Sequence, residues 1–140
     1  MNNKTIKDPQ IFISKAARNI YDNMRELDEF KNLDNKDLLF LAIIFGYINN
    51  KRKKLDVRER HPSGFTRERY LSDSENGILK AIAVTQEEKI DVINDIQLVY
   101  SIAEEYANGG VELLKEFVFD NPASFIKKYS SEIKKHFNNL

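Results

Sequence analysis

Leu38-Leu39-Phe40-Leu41-Ala42-Ile43-Ile44-Phe45-Gly46-Tyr47-Ile48 is the stretch that decides the fold, because it is apolar on every side of a helix. A helix of this kind belongs in a protein interior. The stretch is shorter than the roughly 20 residues that cross a bilayer. Asp34 is a favoured N-cap residue before it, and Asn49-Asn50 end it. We therefore predict a helix that begins at Asp34 and forms the central, most buried element of the domain.

Apolar residues at helical spacing predict further helices on both sides of this stretch. A first helix is expected after Asp8-Pro9, an N-cap residue followed by a proline suited to the first helical position. Two sequences, Ser72-x-x-Glu75 and Thr85-x-x-Glu88, match the capping-box pattern, and the second precedes a long helix. The apolar face of the first helix comprises Ile13, Ala16, Ala17, Ile20, Met24 and Leu27.

The long helix is expected to end at Asn108-Gly109-Gly110, since these residues accept the left-handed conformation that closes a helix. Tyr106 is expected to be buried just before this stop, which would fix the angle of the next helix. A short helix from Val111 and a final helix after Asn121-Pro122 follow. The sequence thus predicts an all-α fold, a compact bundle of five or six helices in a single domain over residues 1–140.

Composition narrows the class of protein. The chain has 140 residues, the usual size of one domain, and no cysteine, which excludes disulfides and thiolate metal sites. The N-terminal residues do not have the apolar run of a secretory signal. We expect a cytoplasmic protein with no cofactor and no membrane contact.

Charge is distributed unevenly although the formal net charge is zero. Residues 1–70 carry 15 Lys/Arg against 10 Asp/Glu, whereas residues 71–140 carry 7 against 12. Residues 50–71, interrupted by the turn sequence His61-Pro62-Ser63-Gly64, are expected to form a long basic loop, with a short β-ribbon as an alternative. Its candidate binding residues are Lys51, Arg52, Lys53, Lys54, Arg58, Arg60, Arg67 and Arg69.

Two interpretations of this basic loop remain open. Arginine presents a planar fork of donors that fits phosphate oxygens, and Phe65 and Tyr70 could stack on an unpaired base, so the loop could bind DNA. Alternatively, the loop pairs with the protein's own acidic residues, because residues 87–120 carry 9 acids against 2 lysines. The same aromatic residues would then pack back on the core.

Evidence for an active site is weak. Glu104 and Glu105, with Asp91 and Asp95, could form a metal or acid/base cluster, but three of these positions follow the polar stripe of the predicted long helix. The two histidines, His61 and His136, are far apart and have no metal-ligand spacing. No nucleophile or phosphate-loop motif is present. We therefore expect a protein that is not an enzyme.

Two segments together resemble a family of small bacterial proteins, the Dnd system-associated protein 4 (DNA phosphorothioation-associated protein 4) family. The first segment has Phe30-Lys31, the run from Asn35-Lys36-Asp37 to Tyr47, and Lys51-Arg52-Lys53-Lys54-Leu55. The second has residues 78–84 and then Glu104-Glu105-Tyr106-Ala107-Asn108-Gly109-Gly110-Val111-Glu112. The resemblance implies a place in gene clusters that put sulfur into the DNA backbone and restrict unmodified foreign DNA, which is an antiviral defence. It implies no catalytic residue.

Three functions follow as hypotheses. The first is a non-enzymatic adaptor or regulator of such a modification and restriction system that touches DNA, or another protein of the cluster, through residues 51–69. The second is a protein–protein interaction module without nucleic-acid contact. The third is a small metal-dependent nuclease built on Glu104 and Glu105.

Overall fold

The structure is a computed structural model that describes residues 8–119 and residue 127. Within these residues the chain forms four α-helices and one antiparallel pair of two-residue strands. The helices are α1 (Lys15–Met24), α2 (Asn35–Ile48), α3 (Asp73–Glu87) and α4 (Ile96–Val118), and the strands are β1 (Gln10–Ile11) and β2 (Thr66–Arg67). The mainly helical fold predicted from the sequence is confirmed.

Helix α2 begins where the sequence predicts. Asp34 accepts the backbone N–H of Asp37, and the Asp37 side chain accepts the N–H of Asp34, so both halves of a capping box are formed. The helix ends at Asn49, and Asn50 follows with a φ of 55°. Eight of its residues are buried: Leu38, Leu39, Phe40, Ala42, Ile43, Ile44, Phe45 and Gly46.

Helices α2 and α4 cross with almost no space between their backbones. A β-carbon on Gly110 would overlap the carbonyl oxygen of Ala42 and lie 2.7 Å from the backbone nitrogen of Gly46. A β-carbon on Gly46 would lie 3.0 Å from the carbonyl carbon of Tyr106. Side chains at these two positions would force the helices apart, so both glycines are there because they have none.

The predicted helix stop at Asn108-Gly109-Gly110 is wrong. Helix α4 continues to Val118, and no glycine in the described residues has a positive φ. Local sequence cannot distinguish a glycine that turns the chain from one that lets another backbone approach. The predicted short helix from Val111 is therefore the second half of α4, while the predicted final helix lies outside the described residues.

The predicted start of the long helix is also wrong. Helix α3 opens at the Ser72 capping box as expected but runs through Thr85, and Glu88 ends it in the left-handed conformation. Residues 88–95, here called the connector, contain a 3-10 helix (Ile90–Asn94), and Asp95 caps α4. The Thr85 pattern fails as a cap because Leu79, Ile82 and Ala83 already commit this part of α3 to the core.

The first helix begins later than predicted, at Lys15 with Ser14 as its N-cap. Residues 9–13 instead hydrogen-bond to the loop: the N–H groups of Phe65 and His61 donate to the carbonyls of Ile11 and Ile13. Gln10 pairs with Arg67 and Ile11 with Thr66. The basic loop thus contains one short strand, but this strand pairs with the N-terminal segment and not within the loop as a β-ribbon would, a long-range pairing that no local pattern encodes.

None of the helices in the described part of the chain combines the length and hydropathy needed to cross a bilayer.

Candidate functional site: the basic segment on helix α4

Residues 51–69, here called the basic segment, lie directly against helix α4. The N–H of Lys53 donates to the carbonyl of Glu105 at 3.0 Å. In return the side-chain amide of Asn108 donates to the carbonyls of Lys53 at 3.1 Å and Lys54 at 3.3 Å. A β-carbon on Gly109 would lie 2.7 Å from the carbonyl carbon of Lys51. The start of the segment is thus held to α4 by hydrogen bonds and a close backbone approach that involve no charged group.

Ion pairs reinforce this contact. Arg52 Nε donates to Glu105 Oε1 at 2.6 Å, and its Nη1 lies 3.9 Å from Glu87 Oε2. Lys53 Nζ donates to Glu112 Oε2 at 2.8 Å, and this hydrogen bond and the attraction of the two charges raise the pKa of Lys53. These partners are residues of α3 and α4.

Arg60 and Glu104 both contact Phe12 of the N-terminal segment. The Arg60 guanidinium lies over the ring of Phe12 at 4.1 Å from its centroid, and its Nη2 is 3.9 Å from Glu104 Oε2. Glu104 Oε1 accepts the backbone N–H of Phe12 at 2.7 Å. Burial raises the pKa of Glu104, and the Phe12 N–H and Arg60 only partly offset this effect. Glu104 therefore joins α4, the N-terminal segment and the basic segment at one point.

The remaining cations divide into paired and unpaired groups. Asp8 faces both Arg69, with Nε at 3.1 Å, and Arg67, with Nη1 at 3.8 Å. Arg58 pairs with Asp56 on an exposed turn, at 3.0 Å. Lys51 and Lys54 are exposed and have no ion pair within the described part of the chain. Six of the eight candidate cations are thus paired with the chain's own carboxylates.

The residues of the Tyr106 to Gly110 motif contact three other parts of the protein: α2, α3 and the basic segment. Tyr106 is buried as predicted, its hydroxyl donates to Gln86, and its ring packs edge-on against Tyr47 at 5.6 Å. Asn108 and Gly109 receive the basic segment, and Gly110 receives α2. The motif is therefore a docking face for other segments of the same chain.

The internal-pairing hypothesis placed partners of these cations among the acids of residues 87–120, four of which do pair with them, but it did not say which cation meets which acid. Glu105, Asn108 and Glu112 are spaced three, four and seven apart, so they share one face of α4. That signal was present but was hidden by the predicted helix stop. Asp8 and Phe12 had no signal, because only the fold brings them to residues 60–69.

The aromatic residues of the basic segment behave differently from each other. Phe65 stacks on buried Tyr21 at 5.3 Å, so it packs on the core. Tyr70 is 61% exposed. His61 accepts the N–H of Ser63 through Nδ1 at 3.2 Å, and His136 lies outside the described residues.

The acidic residues considered for catalysis do not converge. Asp91 lies in the connector and not on α4, while Glu104 and Glu105 contact separate groups, Phe12 and Arg52. Residues 8–119 and residue 127 contain no group of three or more His, Cys, Asp or Glu side chains placed to hold a metal ion. Asp91, Asp95 and Glu105, which the sequence placed on one polar helix stripe, thus do not share one helix: Asp91 is in the connector, Asp95 is the N-cap of α4 and Glu105 is inside α4.

Fold and site define a class of small helical proteins in which a basic surface segment pairs with acidic residues of the longest helix, α4. Residues 10–138 match the family described as DNA sulphur modification system-associated protein 4. The chain belongs to this family, which confirms the resemblance given by the two sequence segments. Comparison with curated proteins gave no match, and neither did comparison with solved structures.

Proposed function

We propose that this protein is a non-enzymatic accessory protein of a DNA sulphur modification system and that it acts by binding another protein of that system. The observation that carries this proposal is the internal pairing of the basic segment. Six of its eight candidate cations face carboxylates of the same chain, and for all of these except Arg58 the carboxylate lies outside residues 51–69.

Internal pairing weakens the electrostatic case for DNA. A basic surface gains affinity for DNA because phosphates replace mobile counterions, which are released into solution. Arg52 and Lys53 have fixed carboxylate partners at 2.6 and 2.8 Å, so a phosphate would have to displace a protein group instead. The gain from counterion release is correspondingly smaller.

The connector supplies a surface for a protein partner. Ile90 is 71% exposed and Ile93 is 37% exposed, while Val92 between them is buried and anchors the loop. Along the chain, the two isoleucines are flanked by the exposed acids Glu88, Asp91 and Asp95, with one exposed lysine, Lys89, beside Ile90. Apolar side chains with an acidic rim fit a partner surface that is apolar at its centre and basic at its edge.

Pairwise binding of the purified chain to each protein of a DNA sulphur modification system tests the proposal. One of them should bind, and Ile90→Ser combined with Ile93→Ser should weaken that binding by at least about tenfold, the loss of roughly 1.4 kcal/mol. Val57→Ser is the matched control, because Val57 is 69% exposed but lies in the basic segment. If no protein of the system binds, the proposal is wrong. If the variant with both isoleucines replaced binds as the natural chain does, the connector is not the binding surface.

DNA contact is the second candidate, and the exposure of Lys51 and Lys54 favours it. A titration with plain and phosphorothioate duplexes at two salt concentrations distinguishes the two functions. We expect little binding at either concentration. Affinity that falls steeply with salt and is lost in Lys51→Ala with Lys54→Ala would support DNA contact instead. These two substitutions leave the ion pairs of the segment in place, whereas Ala at Arg58, Arg60, Arg67 and Arg69 would remove the pairs of those four residues.

The carboxylates that a nuclease would need already accept hydrogen bonds from the protein, and this supports an accessory function without catalysis. Glu104 Oε1 already accepts a backbone N–H, and Glu105 Oε1 already accepts from Arg52. A nuclease assay with Mg²⁺ on the natural chain and on the variant with both Glu→Gln changes tests this point. Cleavage that disappears in the variant would refute it.

A further inference from the structure

A polar cavity of about 310 Å³ lies between the N-terminal strand, the basic segment and the first half of α4. Gln97, Ser101 and Glu104 line it from α4, where their spacing places them on one helix face. Arg60 and Arg67 line it from the basic segment. Its volume is at the lower end of the range for small-molecule sites, about 300–1,000 Å³.

The guanidinium groups of Arg60 and Arg67 form no hydrogen bond with the carboxylates nearest to them. Arg60 Nη2 is 3.9 Å from Glu104, and Arg67 Nη1 is 3.8 Å from Asp8, and both separations are too long for a hydrogen bond. The Nε of Arg60 is buried and meets no acceptor among the described residues. A buried donor without an acceptor costs about 1–3 kcal/mol, so the Arg60 side chain is incompletely satisfied by the protein itself.

The carboxylates that line the cavity are already occupied by other donors. Glu104 Oε1 accepts the N–H of Phe12 at 2.7 Å. Asp8 Oδ1 accepts the N–H of Arg69 at 2.9 Å, and Asp8 Oδ2 lies 3.1 Å from Arg69 Nε. Both oxygens of Asp8 and one of Glu104 thus contact donors other than the guanidinium groups of Arg60 and Arg67, whose nearest carboxylate oxygens lie at 3.9 and 3.8 Å.

We propose that this cavity binds the phosphate group of a small molecule through Arg60 and Arg67. Guanidinium forks bind phosphate oxygens two at a time, and a tetrahedral phosphate has enough oxygens to accept from two forks that approach from different directions. The Ser101 hydroxyl and the Gln97 amide are further donors on the α4 side. The volume exceeds that of a bare phosphate, so a compact organic group fits beside it.

Thermal unfolding with inorganic phosphate, against sodium chloride at equal ionic strength, is the first test. Phosphate should raise the midpoint by a few degrees beyond chloride, because a ligand that binds only the folded state stabilises it. A nucleoside 5′-monophosphate in a parallel series distinguishes the sources. An equal shift indicates free phosphate, and a larger shift indicates a phosphate carried by a larger molecule. No shift beyond chloride with either probe would overturn the proposal.

Variants assign the effect to the cavity. Arg67→Gln removes one fork, and Arg60→Lys keeps the charge but removes the other; each should weaken phosphate binding at least tenfold by calorimetry. Arg58→Gln is the matched control, because it removes the same charge from the same segment at a side chain that is 91% exposed and outside the cavity. Unchanged affinity in both cavity variants, or an equal loss in the control, would overturn the assignment.

Discussion

Helix α4 is crossed on one side by α2 and on another by the basic segment, and these two crossings are built from different chemistry. Gly110 marks the first, where two helix backbones touch within an apolar core. Gly109 marks the second, where an extended chain is held by hydrogen bonds and ion pairs at the surface. Two adjacent glycines thus serve two contacts of unlike strength.

The comparison separates what a close approach costs in each place. A helix-interior glycine costs about 1 kcal/mol relative to alanine, and both positions accept that cost for contact. At Gly110 the helices cannot separate without opening the core. At Gly109 the segment can lift into solvent, where water replaces its hydrogen bonds. The core crossing should therefore be far less tolerant of substitution than the surface crossing.

Gly110→Ala should have the largest effect. The new β-carbon meets backbone atoms of α2, which cannot rotate away, so we expect the free energy of unfolding to fall by roughly 3 kcal/mol. Urea denaturation followed by circular dichroism measures it. Gly77→Ala is the matched control in α3, because nothing lies within 4 Å of its β-carbon; it should raise stability by about 0.5–1 kcal/mol. Equal stability of the two variants would contradict the close crossing.

Gly109→Ala should have the next largest effect. Its β-carbon meets the carbonyl of Lys51, so the start of the basic segment must shift, at a cost of roughly 1–2 kcal/mol. Hydrogen exchange at the amide of Lys53 should speed up while the amides of α2 stay protected. A loss as large as that of Gly110→Ala would mean that the segment is part of the core.

Asn108→Ala tests the hydrogen bonds alone. Removing the amide that donates to the carbonyls of Lys53 and Lys54 should lower stability by about 1 kcal/mol. Limited trypsin digestion should cut residues 51–69 faster than in the natural chain. Asn23→Ala, on the exposed side of α1, serves as the comparison and should leave the digestion rate unchanged.

Glu104→Gln should change the pH dependence of stability. Because burial raises the folded-state pKa of Glu104 above its ordinary value of 4.5, the folded protein binds more protons than the unfolded chain just above that pH. The contribution of Glu104 to the free energy of unfolding therefore falls as pH rises through this window. Thermal melts between pH 4.5 and 7 should show this decrease in the natural chain and a flatter profile in the variant. Parallel profiles would show that Glu104 does not cause it.

The ion pair of Arg52 with Glu105 should have the smallest effect. Both side chains are partly exposed, at 30% and 25%, so a double-mutant cycle with Ala should give a coupling of about 0.5 kcal/mol. The coupling should shrink in 1 M salt, where charges are screened over about 3 Å. A coupling above that of the Asn108 hydrogen bonds would reverse the ranking of backbone and charge contacts at the surface crossing.

Prediction from the sequence succeeded where the signal was local. Asp34 and Ser72 were identified as helix caps, because a capping side chain reaches only two or three residues along the chain. It failed at Thr85 and at Gly109-Gly110, where the same local patterns were overridden by packing against other helices. For the candidate site, the cations of residues 51–69 were identified, and so was the acidic region 87–120 as their internal partner. Asp8 was not, because it lies 61 residues from Arg69 and only the fold brings the two together.

By itself, the sequence determined that this chain folds as a helical domain around residues 38–48, because an apolar run of that length must leave water. It also determined the family, through the order of its two motifs. Only the tertiary structure decided how the basic segment is used. Opposite charges attract in any pairing, so charge alone does not select partners; the close approach at Gly109 and the Asn108 hydrogen bonds hold Arg52 and Lys53 beside Glu105 and Glu112.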